Sequence, residues 1–418
     1  MIGTNLLKEI TYFLLSFLLL FSSIIPFSAG SLYDYTFLLL AFIFWIFRVL
    51  DGENINITRL RFFIGIYFLI SFIHLTLLFF ADSVIFNFSL PIFLRINALL
   101  IFIDLFLDKK STDINLFRKK NLFLYPFISM SAICSIWAFW NSLYGMSWRI
   151  GFPLYSEGYD PHVFGPAMAC SFITLAYVFF NIEKYFDVTN RLIFIRIILL
   201  ISIITCFSAV VFCGSRGGLL ILAGTLFTYI ILFSLKLPSK FFVLNYLIKK
   251  SSLYLLGFFS FIFVVCFNFI SNTSEKLGLL FFRTFDFLPV LLGTDPSRGN
   301  QFENIYEGLS SSFNNLIPNP SFFIDEGFMY RNTDVGISYF IYNQGFILFL
   351  VFLCIYFFIF NNLRKINKIS ASLLSAGLIL LIFGSATLFI PRFYLIYLFS
   401  IRILAENKYL NFNQYDSK

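Results

Sequence analysis

The fold is decided by residues 193–235, which read IFIRIILLISIITCFSAVVFCGSRGGLLILAGTLFTYIILFSL. Two apolar runs in this stretch are each long enough to cross the ~30 Å hydrocarbon core of a bilayer. The short segment 213–218 separates them and contains glycines and an arginine. Because a helix satisfies its own backbone hydrogen bonds, an apolar run of this length is stable in lipid as a helix. The stretch therefore predicts a helical hairpin inside a membrane.

The same pattern recurs along the chain. Of its 418 residues, 59% are hydrophobic and 12% are charged, which leaves more apolar surface than a soluble fold of this length could bury. Apolar runs of membrane-spanning length lie near residues 10–28, 35–50, 62–80, 84–107, 122–140, 162–181, 193–213, 217–235, 251–270, 337–360, 369–390 and 392–406. We therefore predict an all-α, polytopic membrane protein with about 12 transmembrane helices.

Lysine and arginine test this topology, because positive residues collect in the cytoplasmic loops of a membrane protein. With a cytoplasmic N-terminus, most basic residues fall in inner connections, and Arg95 lies within a span. The basic residues in outer connections are Arg149, Arg216, Lys276, Arg283, Arg298, Arg331 and Arg392. Both termini are therefore predicted to be cytoplasmic.

Two of the outer connections are long, and they divide the chain into regions. The predicted regions are 1–140 with the first five spans, 141–161 as an outer loop, 162–270 with spans six to nine, 271–336 as a large outer loop, and 337–418 with the last three spans and a cytoplasmic tail. Both loops combine turn residues with apolar patches, which favours loops that fold against the membrane face.

Several kinds of site are excluded by residue usage. The six cysteines lie in or beside apolar runs without the spacing of a zinc or redox site, and the two histidines, His74 and His162, are far apart. The outer loops contain no Asp-x-Asp pair, and no glycine-rich nucleotide loop follows a strand, so we expect neither a metal nor another cofactor. The net charge of +8 reflects membrane topology, and no nucleic-acid partner is expected.

The outer arginines are the strongest candidates for binding chemistry. A guanidinium group keeps its charge and binds phosphate oxygens in a bidentate manner, so converging arginines suit a diphosphate ligand. The alternative is that they form ion pairs with loop acids such as Glu157, Asp160, Asp286 and Asp295. Arg216 is the least ordinary, because glycines flank it between two spans, where a charge is costly without a partner or ligand. Its alternative role is to snorkel to the membrane interface.

These segments resemble the O-antigen ligase and polymerase superfamily, which includes the Wzy-type polymerases. Ser215-Arg-Gly-Gly218 is similar to that family's signature at the outer end of a membrane helix. Arg149-Ile-Gly-Phe152 and Asp160-Pro-His-Val-Phe-Gly-Pro-Ala167 resemble its Arg-x-x-Gly and Asn-Pro-Asn-x-x-Gly segments, with the first glycine one residue early and Asp160 and His162 in place of asparagines. Arg298 resembles an arginine of the family's large loop, and Asp334 to Gly345 resembles the stretch at its tenth helix.

The resemblance implies a GT-C-like, metal-independent membrane glycosyltransferase with a large periplasmic loop. Such an enzyme polymerises undecaprenyl-diphosphate-linked oligosaccharide repeats into O-antigen or capsule-like polysaccharide at the periplasmic face of the bacterial inner membrane. Family members work beside a flippase and a chain-length regulator. Two other functions remain open, an O-antigen ligase and a flippase for the lipid-linked oligosaccharide. Ligases usually carry a histidine where this chain has Asp334, and a flippase would scatter charges within its spans.

Residue roles follow from the same resemblance. Arg149, Arg216, Arg298 and Arg331 are expected to bind the diphosphate, and Asp334 is the candidate general base. Glu157, Asp160 and Asp325 are substitutes for that base, and Trp148, Tyr155 and His162 are candidates for sugar contact. Asp334 also suits the start of a helix, and His162 also suits a plain interface residue. The remaining outer aromatic residues, Trp140, Tyr144, Phe152 and Tyr159, are expected to form a belt at the membrane interface.

Overall fold

A computed structural model describes residues 58–81, 83–107, 121–144, 150–152, 161–186, 192–234, 336–383 and 386–415, with scattered residues between 10 and 46 and residues 278–279. Nearly all of these residues are helical, and none of them lies in a strand. The helices are α1 (Arg59–Ala81), α2 (Ser83–Leu107), α3 (Asn121–Tyr144), α4 (Pro161–Phe180), α5 (Ile182–Tyr185), α6 (Leu192–Phe212), α7 (Gly217–Ser234), α8 (Gly336–Ile366), α9 (Lys368–Phe383) and α10 (Pro391–Tyr415). A 3₁₀ turn at Ala386–Phe389 precedes α10.

Five helices in the described part of the chain are long and apolar enough to cross a membrane. They comprise Arg59–Phe80, Ser89–Leu107, His162–Phe180, Leu192–Phe212 and Asn343–Ile366. Two shorter apolar helices, Gly217–Leu232 and Lys368–Ile382, lie among them. The chain is therefore an all-helical membrane protein, as its composition predicts.

The helix bounds agree closely with the predicted apolar runs, and two differences are informative. α8 runs from Gly336 to Ile366 but is broken at Gly345, whose φ of 84° and ψ of 161° are not helical. Such a conformation is essentially restricted to glycine. The run 369–390 was predicted as one span, but α9 ends at Phe383 and the chain then forms the 3₁₀ turn. The sequence marks both breaks with polar and small residues, Asn343-Gln-Gly345 and Gly384-Ser385, although the apolar residues around them predicted continuous spans.

The central helix of the bundle is α4, which packs against α6, α7 and α10. α7 also packs along α9, α3 packs on α6, and α1 packs on α2 and α8. Between helices that are as apolar as lipid, small and polar side chains supply the specific contacts. The Ser131 hydroxyl donates to the Ser171 hydroxyl over 3.0 Å, and the hydroxyls of Ser135 and Thr205 lie 2.8 Å apart. These hydrogen bonds join α3 to α4 and to α6.

One end of the bundle is held by hydrogen bonds between chain segments that are distant in sequence. We call it the Asn367 end, and it comprises residues 104–107, 181–186, 366–369 and 402–404. The Asn367 side-chain amide donates to the Tyr177 hydroxyl and to the carbonyl of Leu404, and its oxygen accepts a hydrogen bond from the amide of Ile369 at the start of α9. Tyr185 donates to the carbonyl of Ile403 over 2.9 Å. Asn367 therefore connects α4, α9 and α10.

Replacing Asn367 with alanine is expected to lower the free energy of unfolding by about 1–3 kcal/mol, because buried partners lose their hydrogen bonds. Unfolding of the purified protein by SDS titration in mixed micelles would measure the change. Ser208→Ala is the control, since the Ser208 hydroxyl donates to the carbonyl of Ile204 within α6. That control should shift stability by about 0.5 kcal/mol or less. Equal effects of the two substitutions would contradict a connecting role for Asn367.

Charged side chains also lie at the Asn367 end. Arg61 near the start of α1 donates through Nε to Asp104 Oδ1 near the end of α2, over 3.0 Å. Arg402 of α10 donates through Nη1 to the carbonyl of Phe106 over 3.3 Å. Buried charges in a membrane protein are retained only with such partners. These contacts attach α1 and α10 to α2.

Candidate functional site

The opposite end of the bundle brings together segments that the sequence analysis had selected separately. We call it the Arg216 end, and it comprises residues 150–152, 161–166, 213–218 and 386–392. The amide of Ile150 donates to the carbonyl of Cys213 over 3.4 Å. The hydroxyl of Thr387 donates to the carbonyl of His162 over 3.4 Å. Segments separated by more than 200 residues therefore meet here.

The glycines of the turn between α6 and α7 have different structural roles. Gly214 has a φ of 70°, so it makes the reversal that an L-residue would resist. The amide of Gly217, at the start of α7, donates to the Ser215 hydroxyl over 3.4 Å. The Gly217 amide is therefore hydrogen-bonded within the turn.

Gly217 and Gly218 serve a different purpose, which is close contact with α4. A Cβ atom added at Gly218 would lie 2.9 Å from the carbonyl oxygen of Gly165 and 2.9 Å from Val210 Cγ1. One added at Gly217 would lie 2.8 Å from Pro166 Cγ. One added at Gly165 would lie 2.8 Å from Cys213 Sγ. The Ser-Arg-Gly-Gly turn and the Gly-Pro of α4 are therefore complementary surfaces in direct contact.

Gly218→Ala is expected to destabilise the protein by about 1–3 kcal/mol, because the added methyl group meets backbone atoms that cannot rotate away. The thermal unfolding midpoint of the purified protein in detergent should fall accordingly. Gly65→Ala is the matched control, since a Cβ atom at Gly65 meets nothing within 4 Å. That substitution should leave the midpoint unchanged or raise it slightly, because alanine favours the helix. An unchanged midpoint for Gly218→Ala would mean that the α4 contact is loose.

Two arginines of the described part of the chain lie at the Arg216 end. Arg216 is half-buried immediately before α7, and Arg392 is 6% exposed in the first turn of α10. Both lie beside the positive end of a helix dipole, which adds to the attraction for an anion. Arg392 was predicted to face outward but was not selected as a site residue. The signal that could have selected it is an arginine directly after Pro391, at the start of an apolar run.

Cys213 lies three residues before Arg216, and its surroundings make it inert. The thiol donates to the carbonyl of Val210 over 3.2 Å and to the carbonyl of Ser215 over 3.7 Å. Burial raises the pKa of the Cys213 thiol to about 12. The side chain therefore stays protonated at physiological pH and acts as a packing group against Gly165.

Of the predicted site residues, the structure describes Arg216 and His162. His162 lies half-buried in the first turn of α4, three residues before the glycine that contacts Cys213. The other predicted site residues, Arg149, Arg298, Arg331, Trp148, Tyr155 and Asp334, lie outside the described residues. The substitute bases Glu157, Asp160 and Asp325 also lie outside them.

The aromatic residues near this end divide into two groups. Trp140 and Tyr144 at the end of α3 are 61% and 69% exposed, and their ring centroids lie 4.7 Å apart, as expected of an interfacial belt. The prediction that Phe152 belongs to the belt is wrong. Phe152 is 1% exposed and its ring packs edge-on against Phe164 over 5.1 Å. It anchors the segment after Arg149 to α4.

The break in α8 places polar groups inside the bundle. Asn343 and Gln344 are buried directly before Gly345, and the Tyr67 hydroxyl of α1 donates to Gln344 Oε1 over 3.3 Å. The first part of α8, Gly336–Gln344, begins two residues after Asp334 in the sequence. Its Phe340 ring packs against Phe389 of the 3₁₀ turn, with ring centroids 5.2 Å apart. The segment that follows Asp334 is thereby joined to the Arg216 end.

The described residues contain no cluster of three or more His, Cys, Asp or Glu side chains that could hold a metal ion. Comparisons with protein-family models, curated proteins and solved structures find no match for this chain. Its function has to be inferred from the residues that meet at the Arg216 end.

Proposed function

We propose that this chain is a polysaccharide polymerase of the Wzy type. It would join oligosaccharide repeat units carried on undecaprenyl diphosphate into O-antigen or a capsule-like polysaccharide. The proposed site is the Arg216 end, extended by Arg149, Arg298, Arg331 and Asp334. The observation that carries the proposal is the contact between the Ser-Arg-Gly-Gly turn and the Gly165-Pro166 step of α4.

That contact supports the proposal because the family resemblance rests on several separate segments. Residues 149–152, 160–167 and 215–218 resemble the family in order and in spacing. Each segment alone is a weak signal, but the hydrogen bond from Ile150 to Cys213 and the glycine contacts bring the described parts of all three together. Segments that serve one site have to meet in space, and these do. If the three segments resembled the family only by chance, nothing would require them to lie in contact in the folded chain.

The proposed reaction transfers the growing chain from one lipid carrier to the next repeat unit. A hydroxyl of the incoming repeat attacks the anomeric carbon of the growing chain, and a new glycosidic bond forms. The bond from that carbon to the diphosphate breaks, and its electron pair stays on the departing diphosphate oxygen. The hydroxyl proton passes to a base, for which Asp334 is the candidate. Arginine forks stabilise the negative charge that develops on the diphosphate.

The proposal includes an architecture and a location. The chain would have about 12 transmembrane helices in a GT-C-like arrangement, with a large periplasmic loop at 271–336. The Arg216 end would face the periplasm of the bacterial inner membrane. The leaving group is the substrate's own diphosphate, so the reaction as proposed needs no nucleotide sugar and no metal. The partners would be membrane lipids, a flippase and a chain-length regulator.

The lipopolysaccharide ladder of the host strain tests this function. Deleting the gene should collapse the ladder to core plus one repeat, and the wild-type gene should restore it. Arg216→Ala should fail to restore it, since the departing diphosphate loses its charge partner. Arg196→Ala is the matched control, because Arg196 lies at the other end of α6 in an exposed ion pair with Glu183, with 3.9 Å between Nη2 and Oε1.

Other ladder patterns would point elsewhere. Loss of the single-repeat band on deletion would favour the ligase or the flippase, because both are needed before any repeat reaches the core. An unchanged ladder would exclude all three functions. If Arg216→Ala restores the ladder to the wild-type level, the chain can still be a polymerase, but Arg216 is not part of its active site. Immunoblotting of membranes would establish that each variant is present in equal amount.

A further inference from the structure

A groove of about 640 Å³ opens on the side of the bundle at the Asn367 end. It lies between α1, α2 and the helical residues 38–43 and 45–46. Its walls are almost entirely apolar and include Phe42, Trp45 and Leu69. The exception is the Arg61–Asp104 ion pair, which forms part of the lining. A groove of this composition suits a ligand with a long apolar part and one charged part.

Gly65 keeps this groove open. Arg61, Gly65 and Leu69 are spaced four residues apart, so they form one stripe along α1 that extends roughly 12 Å. A Cβ atom added at Gly65 would meet nothing within 4 Å, so none of the described helices requires the glycine for close packing. Glycine in a helix interior lowers stability relative to alanine. A glycine that serves neither packing nor a turn here leaves room for another molecule.

Among the described residues, the unbalanced positive charge near the groove is that of Arg59, because Arg61 forms an ion pair with Asp104 within the lining. Arg59 is exposed at the start of α1, and it precedes the lining residues Phe62 and Ile66 by three and seven positions, on the same side of the helix. Arg61 lies two residues further along, beside Asp104. Arginines at the end of a membrane helix attract anionic lipid headgroups. Trp45 suits the headgroup level, since tryptophan is enriched at membrane interfaces.

We propose that this groove binds an anionic phospholipid of the surrounding membrane. One acyl chain would lie along Gly65 against Phe42, Trp45 and Leu69, and the headgroup phosphate would lie beside Arg59. The site is at the opposite end from Arg216 and does not depend on the proposed polymerase function. Occupancy would fill the space between α1 and residues 38–46 and stabilise that contact.

Native mass spectrometry of the purified full-length chain tests this site. Dioleoyl phosphatidylglycerol is expected to bind about fivefold more tightly than dioleoyl phosphatidylcholine, because Arg59 favours an anionic headgroup. Gly65→Phe should fill the groove and reduce phosphatidylglycerol binding about tenfold or more, since methylene burial is lost. Gly65→Ala should retain binding, and Arg59→Gln should weaken the preference for the anionic lipid about fivefold.

Three results would overturn the site: equal affinity for the two lipids, unchanged phosphatidylglycerol binding by Gly65→Phe, or full displacement of the lipid by inorganic phosphate at the same concentration. Trp45 provides a second measurement that does not depend on a variant at Gly65. Phosphatidylglycerol brominated on its acyl chains should quench a tryptophan signal that Trp45→Phe removes. Absence of that quenching would place the acyl chain outside the groove.

Discussion

Arg216→Ala is expected to lower the turnover number of the purified enzyme by about 10²–10³-fold. The assay would follow polymer formation from lipid-linked repeat units in micelles or liposomes. The expectation follows from the proposed role of Arg216, which is to stabilise charge that develops on the diphosphate as its bond to the sugar breaks. Such an interaction is stronger in the transition state than in the bound substrate, so the turnover number should fall more than the apparent affinity changes.

Two variants separate this role from simple packing. Arg216→Lys keeps the charge but loses the bidentate fork, so its rate should lie between those of the wild type and Arg216→Ala. Arg196→Ala, at the Asn367 end, should retain the wild-type rate because its exposed ion pair contributes little. If Arg216 only snorkels to the interface, all three variants will turn over as the wild type does. That result would exclude Arg216 from catalysis.

Asp104→Ala is expected to lower the free energy of unfolding by about 3–5 kcal/mol. The side chains of Arg61 and Asp104 are 14% and 7% exposed, so removing the carboxylate leaves an arginine without its ion pair in a low-dielectric setting. SDS titration in mixed micelles would measure the loss. Salt should weaken the native ion pair little, because buried pairs are poorly screened.

A double substitution provides the control for Asp104. Replacing both partners with apolar residues, Arg61→Met with Asp104→Leu, removes the charge as well as its partner. The double variant should recover most of the stability that Asp104→Ala loses, since a buried ion pair is often no more stabilising than apolar packing. If the double variant is as unstable as the single one, the loss comes from packing around Asp104 and not from the isolated charge of Arg61.

The Arg216 turn could be found from the sequence because its signal is local. An arginine among glycines between two apolar runs stands out against the cost of charge in lipid. The role of those glycines could not be found, because it depends on α4. Gly218 needs to be glycine where the carbonyl of Gly165 approaches, and that contact joins residues 53 positions apart. The position of a residue along the chain does not reveal which apolar helix face packs against which other helix face.

Other misses have the same physical origin. Phe152 was assigned to the interface because an aromatic ring in an outer loop suits both water and lipid, but its position against Phe164 in the folded chain buries it. The break at Gly345 follows the polar pair Asn343-Gln344, but the apolar residues on both sides predicted one span, and hydropathy does not specify a backbone dihedral angle. The groove beside Gly65 is a space between helices, so no single segment encodes it.

By itself, the sequence determined that this protein is surrounded by membrane lipid, and it determined the approximate bounds of the described helices. The free energy of transfer from water to lipid is a property of each segment, so the summed hydropathy of a segment is enough to predict a membrane span. The tertiary structure alone decided which helices touch and which glycines are needed for contact. In lipid every helix face is surrounded by similar apolar groups. Association therefore depends on close contacts and buried hydrogen bonds, which exist only between folded surfaces.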